Sequence, residues 1–128
     1  MSGNTTLLEK RKITKVEDFI VYQKAMGLFD QFIEHDVPTL SRDSIGKELA
    51  RQLVRSLDSI CANLEEGYGR KSGDEFKHFV RMSRGSARES KGRYLRCKHF
   101  LPSEVVEERV GDLDTISAML HSLVQKLV

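Results

Sequence analysis

Residues Gln52 to Glu89 read QLVRSLDSICANLEEGYGRKSGDEFKHFVRMSRGSARE, and the corner in the middle of this stretch decides the fold. Gly67 and Gly69 follow a run of apolar residues at helical spacing. A glycine just past a helix can take the left-handed conformation that lets the last carbonyls find partners, so a helix is expected to end between Glu66 and Tyr68. Ser72 followed three residues later by Glu75 is a capping box. The serine oxygen accepts from the Glu75 amide while the carboxylate reaches back to the Ser72 N–H, and a new helix starts. The segment EGYGRKS has one other reading, an anion site built from that helix N-terminus with Arg70 and Lys71. Its spacing matches neither GxGxxG nor GxxxxGK followed by Ser or Thr, and no strand precedes it, so the structural cap is the reading adopted.

Upstream of the corner, Ile45, Leu49, Leu53, Leu57, Ile60 and Leu64 share one helix face, widened by Val54 and Cys61, over about residues 44–66. Before it, Phe19, Tyr22, Met26, Phe29 and Ile33 step by three or four and predict a first helix over about residues 18–34, with HDVPTLSRDS as the connection. Downstream, the third helix is expected over about residues 73–99. Its stripe begins large at Phe76, Phe79 and Val80, narrows at Ser83, Ser86, Ala87 and Ser90, and widens again at Tyr94 and Cys97. Small residues at this spacing let a neighbouring helix approach closely. Pro102 ends that helix, and Ser103 caps a fourth over about residues 103–127, where Val106, Val110, Leu113, Ile116, Leu120, Leu123 and Leu127 repeat. Residues 1–15 read as a mobile polar arm and residues 16–128 as one domain. Four long helices with short connections pack most simply as an all-α, antiparallel up-down-up-down bundle. The width of the apolar faces on the second and fourth helices predicts side-to-side homo-oligomerisation.

A chain of 128 residues suits a single domain with its own core. It has no long apolar run for a membrane span, and its first residues show neither the apolar core nor the cleavage pattern of a signal peptide, so a cytoplasmic protein is expected. Cys61 and Cys97 lack CxxC spacing and read as small core residues. The net charge is +2, but it is unevenly spread. Between Arg70 and His99 ten Lys and Arg face three acids, a local excess of +7 that leaves −5 for the remainder.

Within that basic stretch Lys77, Arg81, Arg84, Arg88 and Lys91 step by 4, 3, 4 and 3, which stacks them along one side of the third helix. Such a row can track a phosphate backbone, favouring structured RNA or duplex because aromatic interleaving is thin. The alternative is a solvated face, or one turned to an acidic partner or neighbouring subunit. A second polar set, Arg55, Ser59, Asn63, Glu66 and Arg70, surrounds the corner and reads as structural polar packing or as a ligand site. An enzymatic reading rests on Arg93 and His99, whose R-x₅-H spacing resembles that of HEPN ribonucleases. Six residues place the pair about 120° apart around a helix, so no enzyme is expected. His35, His78 and His121 make no paired ligand spacing, and no metal or cofactor is expected.

These residues resemble the bacterial four helix bundle protein family, also called the 23S rRNA intervening sequence protein family. Asp18-Phe19-Ile20-Val21-Tyr22-Gln23-Lys24-Ala25 matches its opening motif. Gln52, Arg55, Ser59, Ile60, Asn63, Glu66, Gly67, Gly69, Arg70 and Ser72 match its most specific motif. Glu75, Phe76, Phe79, Gly85, Ser86 and Glu89 match a third, and the likeness covers about residues 16–127. Cys61 stands where the family commonly has proline, and Asp58 and Glu65 where small or apolar residues are common. The resemblance implies an antiparallel bundle assembling into a ring, commonly a homopentamer. It also implies kinship with accessory factors of diversity-generating retroelements, which resemble basic rings binding a reverse transcriptase and nucleic acid. A ribonucleoprotein or reverse-transcriptase partner is therefore among the expectations.

Overall fold

The computed structural model describes residues 19–70 and 72–126; the arm expected over residues 1–15 lies outside them, as do Lys71 and Leu127. Helix α1 (Ile20–Gln31) continues through a π-helical stretch (Phe32–Asp36) and a short α-helical turn (Val37–Leu40). Helix α2 is Ser44–Tyr68, and α3 is Gly73–Arg96 followed by a 3₁₀ turn, Cys97–His99. Helix α4 is Ser103–Lys126. The described residues contain no strand, and none of their helices is long and apolar enough to cross a membrane. Each helix packs on its chain neighbour and α1 closes against α4, giving a four-helix bundle. Leu28 and Phe32 of the first helical segment meet Leu53, Leu57, Ile60 and Leu64 of α2, Val80 and Tyr94 of α3, and Leu113, Ile116 and Leu120 of α4 in one core.

The first helical segment departs from its sequence pattern in two ways. It does not end at Glu34, because helical backbone runs on to Leu40. Pro38 follows directly on the π-helical stretch, whose widened turn keeps the chain helical through a residue without an N–H. The π-helical stretch shifts the register so that Phe32 and Asp36 both face inward. The core face is also a different one: Val21, Tyr22, Ala25, Leu28 and Phe32 are buried, whereas Met26 and Ile33 are 40% and 43% exposed. Two stripes with the same spacing fit this apolar-rich helix, and spacing alone cannot choose between them.

The corner is built from caps and close contact. The Glu75 amide donates to Ser72 Oγ at 3.1 Å, as a capping box requires. The return bond differs: Glu75 Oε1 lies 3.3 Å from the Ser72 hydroxyl, which can donate to it. Gly69 has φ −76°, so it is right-handed and not the left-handed terminator expected. Gly67 is inside α2, where a Cβ would sit 2.7 Å from the Phe79 Cβ. What this glycine provides is close approach between α2 and α3. At the other end of α2, the Asp43 carboxylate accepts from the Ile45 amide at 2.8 Å and the Gly46 amide at 3.4 Å.

Candidate nucleic-acid interface

The side of α3 turned to α2 is a ladder of hydroxyls. Ser83 Oγ donates to the Ile60 carbonyl at 2.7 Å, and Ser86 Oγ lies 2.9 Å from Ser59 Oγ. Ser90 Oγ is 2.8 Å from Ser56 Oγ and 2.9 Å from the Ser86 carbonyl oxygen. These short side chains bring the two backbones together, and their hydrogen bonds fix the rotation of α3 about its axis. That rotation sets where the basic row points.

At about 100° per residue the row falls on the flank away from the serines, along the rim between α3 and α4. It divides into two lines. Lys77, Arg84 and Lys91, seven residues apart, are half-buried, while Arg81 and Arg88, also seven apart, are exposed. Lys91 is held by α4, its Nζ 2.8 Å from Asp114 Oδ1. Among the described residues Lys77, Arg81, Arg84 and Arg88 make no ion pair, and the Arg84 Nε is buried without an acceptor. The reason lies in α4. Its acids, Glu104, Glu107, Glu108, Asp112 and Asp114, all fall in its first half, and from Thr115 to Lys126 it carries none. Because α3 and α4 are antiparallel and Lys91 meets Asp114, Lys77 to Arg88 run beside the acid-free half.

The second polar set splits in two. Asn63 Nδ2 donates to the Ser59 carbonyl at 2.9 Å and lies 3.0 Å from Ser59 Oγ, extending the serine ladder. Glu66 and Arg70 form an ion pair at 2.5 Å, and the Arg70 guanidinium stands over the Phe79 ring, 5.0 Å from its centroid. Arg55 is exposed and joins neither group. A shallow cavity of about 230 Å³ lies at this corner, walled by Phe19, Tyr68 and Phe76. Arg70, its cation, is already occupied by Glu66, and Asp74 and Glu75 occupy the first turn of α3, where an anion would have to bind.

Arg93 and His99 have different neighbours. Arg93 Nη1 donates to the Gln52 carbonyl at 3.4 Å, whereas the exposed His99 ring is edge-on to Phe100. Among the described residues no three His, Cys, Asp or Glu side chains gather as a metal site. Both cysteines are free and buried, and burial pushes the Cys61 thiol up to about 12 and the Cys97 thiol up to about 11.

The most tightly built polar group is one that helix spacing does not reveal. Asp36 receives Arg109 Nε on Oδ2 at 2.8 Å, Arg109 Nη2 on Oδ1 at 3.1 Å and the Tyr94 hydroxyl on Oδ2 at 2.5 Å. Arg109 Nη1 also donates to Gln31 Oε1 at 2.7 Å. The hydrogen bonds to Asp36 raise the Arg109 pKa, and burial together with the bond to Asp36 raises that of Tyr94. One signal does exist in the sequence: Arg109 occupies a core position in the series Val106, Arg109, Leu113, Ile116, Leu120. Its partner lies in a segment whose composition reads as a loop. The group ties α1's extension, α3 and α4 together.

Residues 17–122 match the family model described as 23S rRNA-intervening sequence protein. A search of curated proteins found no match.

Proposed function

Since the chain belongs to the 23S rRNA-intervening sequence protein family, we propose that it is a non-enzymatic, oligomeric nucleic-acid-binding module of the cytoplasm that grips the phosphate backbone of structured RNA or duplex with α3. The observation that carries this reading is the row Lys77, Arg81, Arg84 and Arg88, four cations that make no ion pair among the described residues, beside the acid-free half of α4. Unpaired cations at successive helical turns release counterions when they meet phosphates, which is the main source of affinity for a nucleic-acid backbone. Arg84, half-buried, presents its guanidinium in the same line as Lys77.

Oligomerisation into a ring, by likeness a homopentamer, would repeat the row around the assembly and give avidity to weak individual contacts. Exposed Ile20, Met26, Ile33 and Ile45 supply apolar surface for subunit contacts. A role as accessory to a reverse transcriptase or other ribonucleoprotein fits the same surface.

The test is fluorescence anisotropy with labelled structured RNA and duplex DNA over a salt series, on protein sized by light scattering. Binding that weakens steeply with salt, and is lost in Arg81→Ala/Arg84→Ala/Arg88→Ala, is the expected result. Absence of binding at low salt retires the reading. A second reading has its own observation: Leu95, 48% exposed, continues the line of Arg81 and Arg88, a basic-apolar pattern suited to an acidic protein partner. In that case the triple variant changes partner capture or assembly and nucleic acid stays unbound.

A further inference from the structure

Resting on the nucleic-acid reading of α3, we propose that the partner is the phosphate backbone of a base-paired duplex, and that Asp114 ends the row by withholding Lys91 from it. Lys91 has the same face and spacing as the four free cations, but its ammonium is 2.8 Å from the Asp114 carboxylate. A cation neutralised within the chain releases no counterion from a nucleic acid. The working row is therefore Lys77 to Arg88, rising about 16 Å along the helix axis at 1.5 Å per residue. Asp114 is the last acid of α4, so one side chain marks the border between the paired and unpaired parts of the rim.

The choice of a duplex follows from where the rings are. Single-strand binders gain about 1–3 kcal/mol per base from stacking on aromatic side chains. Along α3 no such platform is free: Phe76 stacks on Phe19, Phe79 lies under Arg70, and Tyr94 is fully buried. The exposed His78 lies about a quarter-turn off the row. What remains is charge at regular intervals, and it gains most from the polymer with the denser phosphates, the duplex.

The experiment compares wild type, Asp114→Asn and, as an equal charge change away from the row, Asp58→Asn, on a duplex and on a single strand of the same length over a salt series. In wild type the duplex binds more tightly than the strand at each salt concentration. Asp114→Asn frees Lys91, so it binds the duplex more tightly and steepens log K against log salt by about 0.9 for each row in contact. Asp58→Asn leaves the slope at the wild-type value. A slope in Asp114→Asn equal to wild type overturns the role of Asp114, and equal affinity for single strand and duplex overturns the choice of partner. Wild type that binds no nucleic acid overturns the parent reading and this inference with it. Asp114 is exposed, and unchanged circular dichroism and oligomer mass show that its variant is folded.

Discussion

Arg109 grips both oxygens of Asp36, with Nε 2.8 Å from Oδ2 and Nη2 3.1 Å from Oδ1, and the two residues are 4% and 1% exposed. They are 73 residues apart in sequence and join the extension of α1 to α4. Removing water from two charges is costly, and here a bidentate pair with added bonds from Tyr94 and to Gln31 offsets that cost.

Breaking the pair is predicted to be severe. Asp36→Ala leaves a buried guanidinium without its carboxylate and should cost about 3–5 kcal/mol. Replacing both partners, Asp36→Leu with Arg109→Met, should recover part of that loss, because no charge stays uncompensated although the buried Tyr94 hydroxyl loses its acceptor. Urea denaturation of the three proteins reads both effects, and a double variant as unstable as the single one would contradict the account.

Two glycines should respond in opposite directions. Gly67→Ala puts a Cβ against Phe79 and should destabilise by about 1–3 kcal/mol through overpacking. Gly85 lies in the middle of α3, where an added Cβ would meet no neighbouring atom within 4 Å, so Gly85→Ala should stabilise by up to about 1 kcal/mol from helix propensity alone. Thermal melts of both variants at one protein concentration test the contrast.

The serine ladder should show coupling. Ser90→Ala removes one of the two partners of the buried Ser56 hydroxyl, the other being the Leu53 carbonyl, and should cost about 1 kcal/mol. Ser56→Ala with Ser90→Ala should cost less than the two single changes together, because the one hydrogen bond they share is lost in either single change. A double-mutant cycle measures the difference directly.

Alkaline pH should destabilise the protein. Cys61 and Cys97, raised to about 12 and about 11 in the fold, keep their protons at a pH where an unfolded chain has lost them. Their contribution is complete below the unfolded thiol pKa and is lost as pH rises through the folded values, and Tyr94 adds to the loss above pH of about 10. Denaturant midpoints should therefore fall steadily from about pH 9 upward. At pH 8 both thiols should resist alkylation until the protein unfolds, and fast labelling of the native protein would refute their burial.

Periodicity and caps exposed most of the helical plan, because such signals are local. Leu53, Leu57, Ile60 and Leu64 marked the inner face of α2, and Ser72 with Glu75 marked the start of α3. The basic row was legible for the same reason, being a spacing on one helix. Helix α1 was harder to read: Met26 and Ile33 fit the spacing as well as Ala25 and Leu28 do, and Pro38 concealed the helical continuation to Leu40. The glycines at the corner were readable as a break, but not as the place where Phe79 presses on Gly67.

The sequence by itself determined that this is an all-helical chain with its positive charge concentrated on α3, because helix spacing, caps and charge order depend on residues within a few turns of one another. Only the tertiary structure decided that Asp36, Tyr94 and Arg109 meet, that Asp114 claims Lys91, and that Lys77 to Arg88 run beside the acid-free half of α4. Those facts depend on the rotation and axial register of one helix against another. Buried contacts such as the serine ladder fix that register, and no spacing within a single helix encodes it.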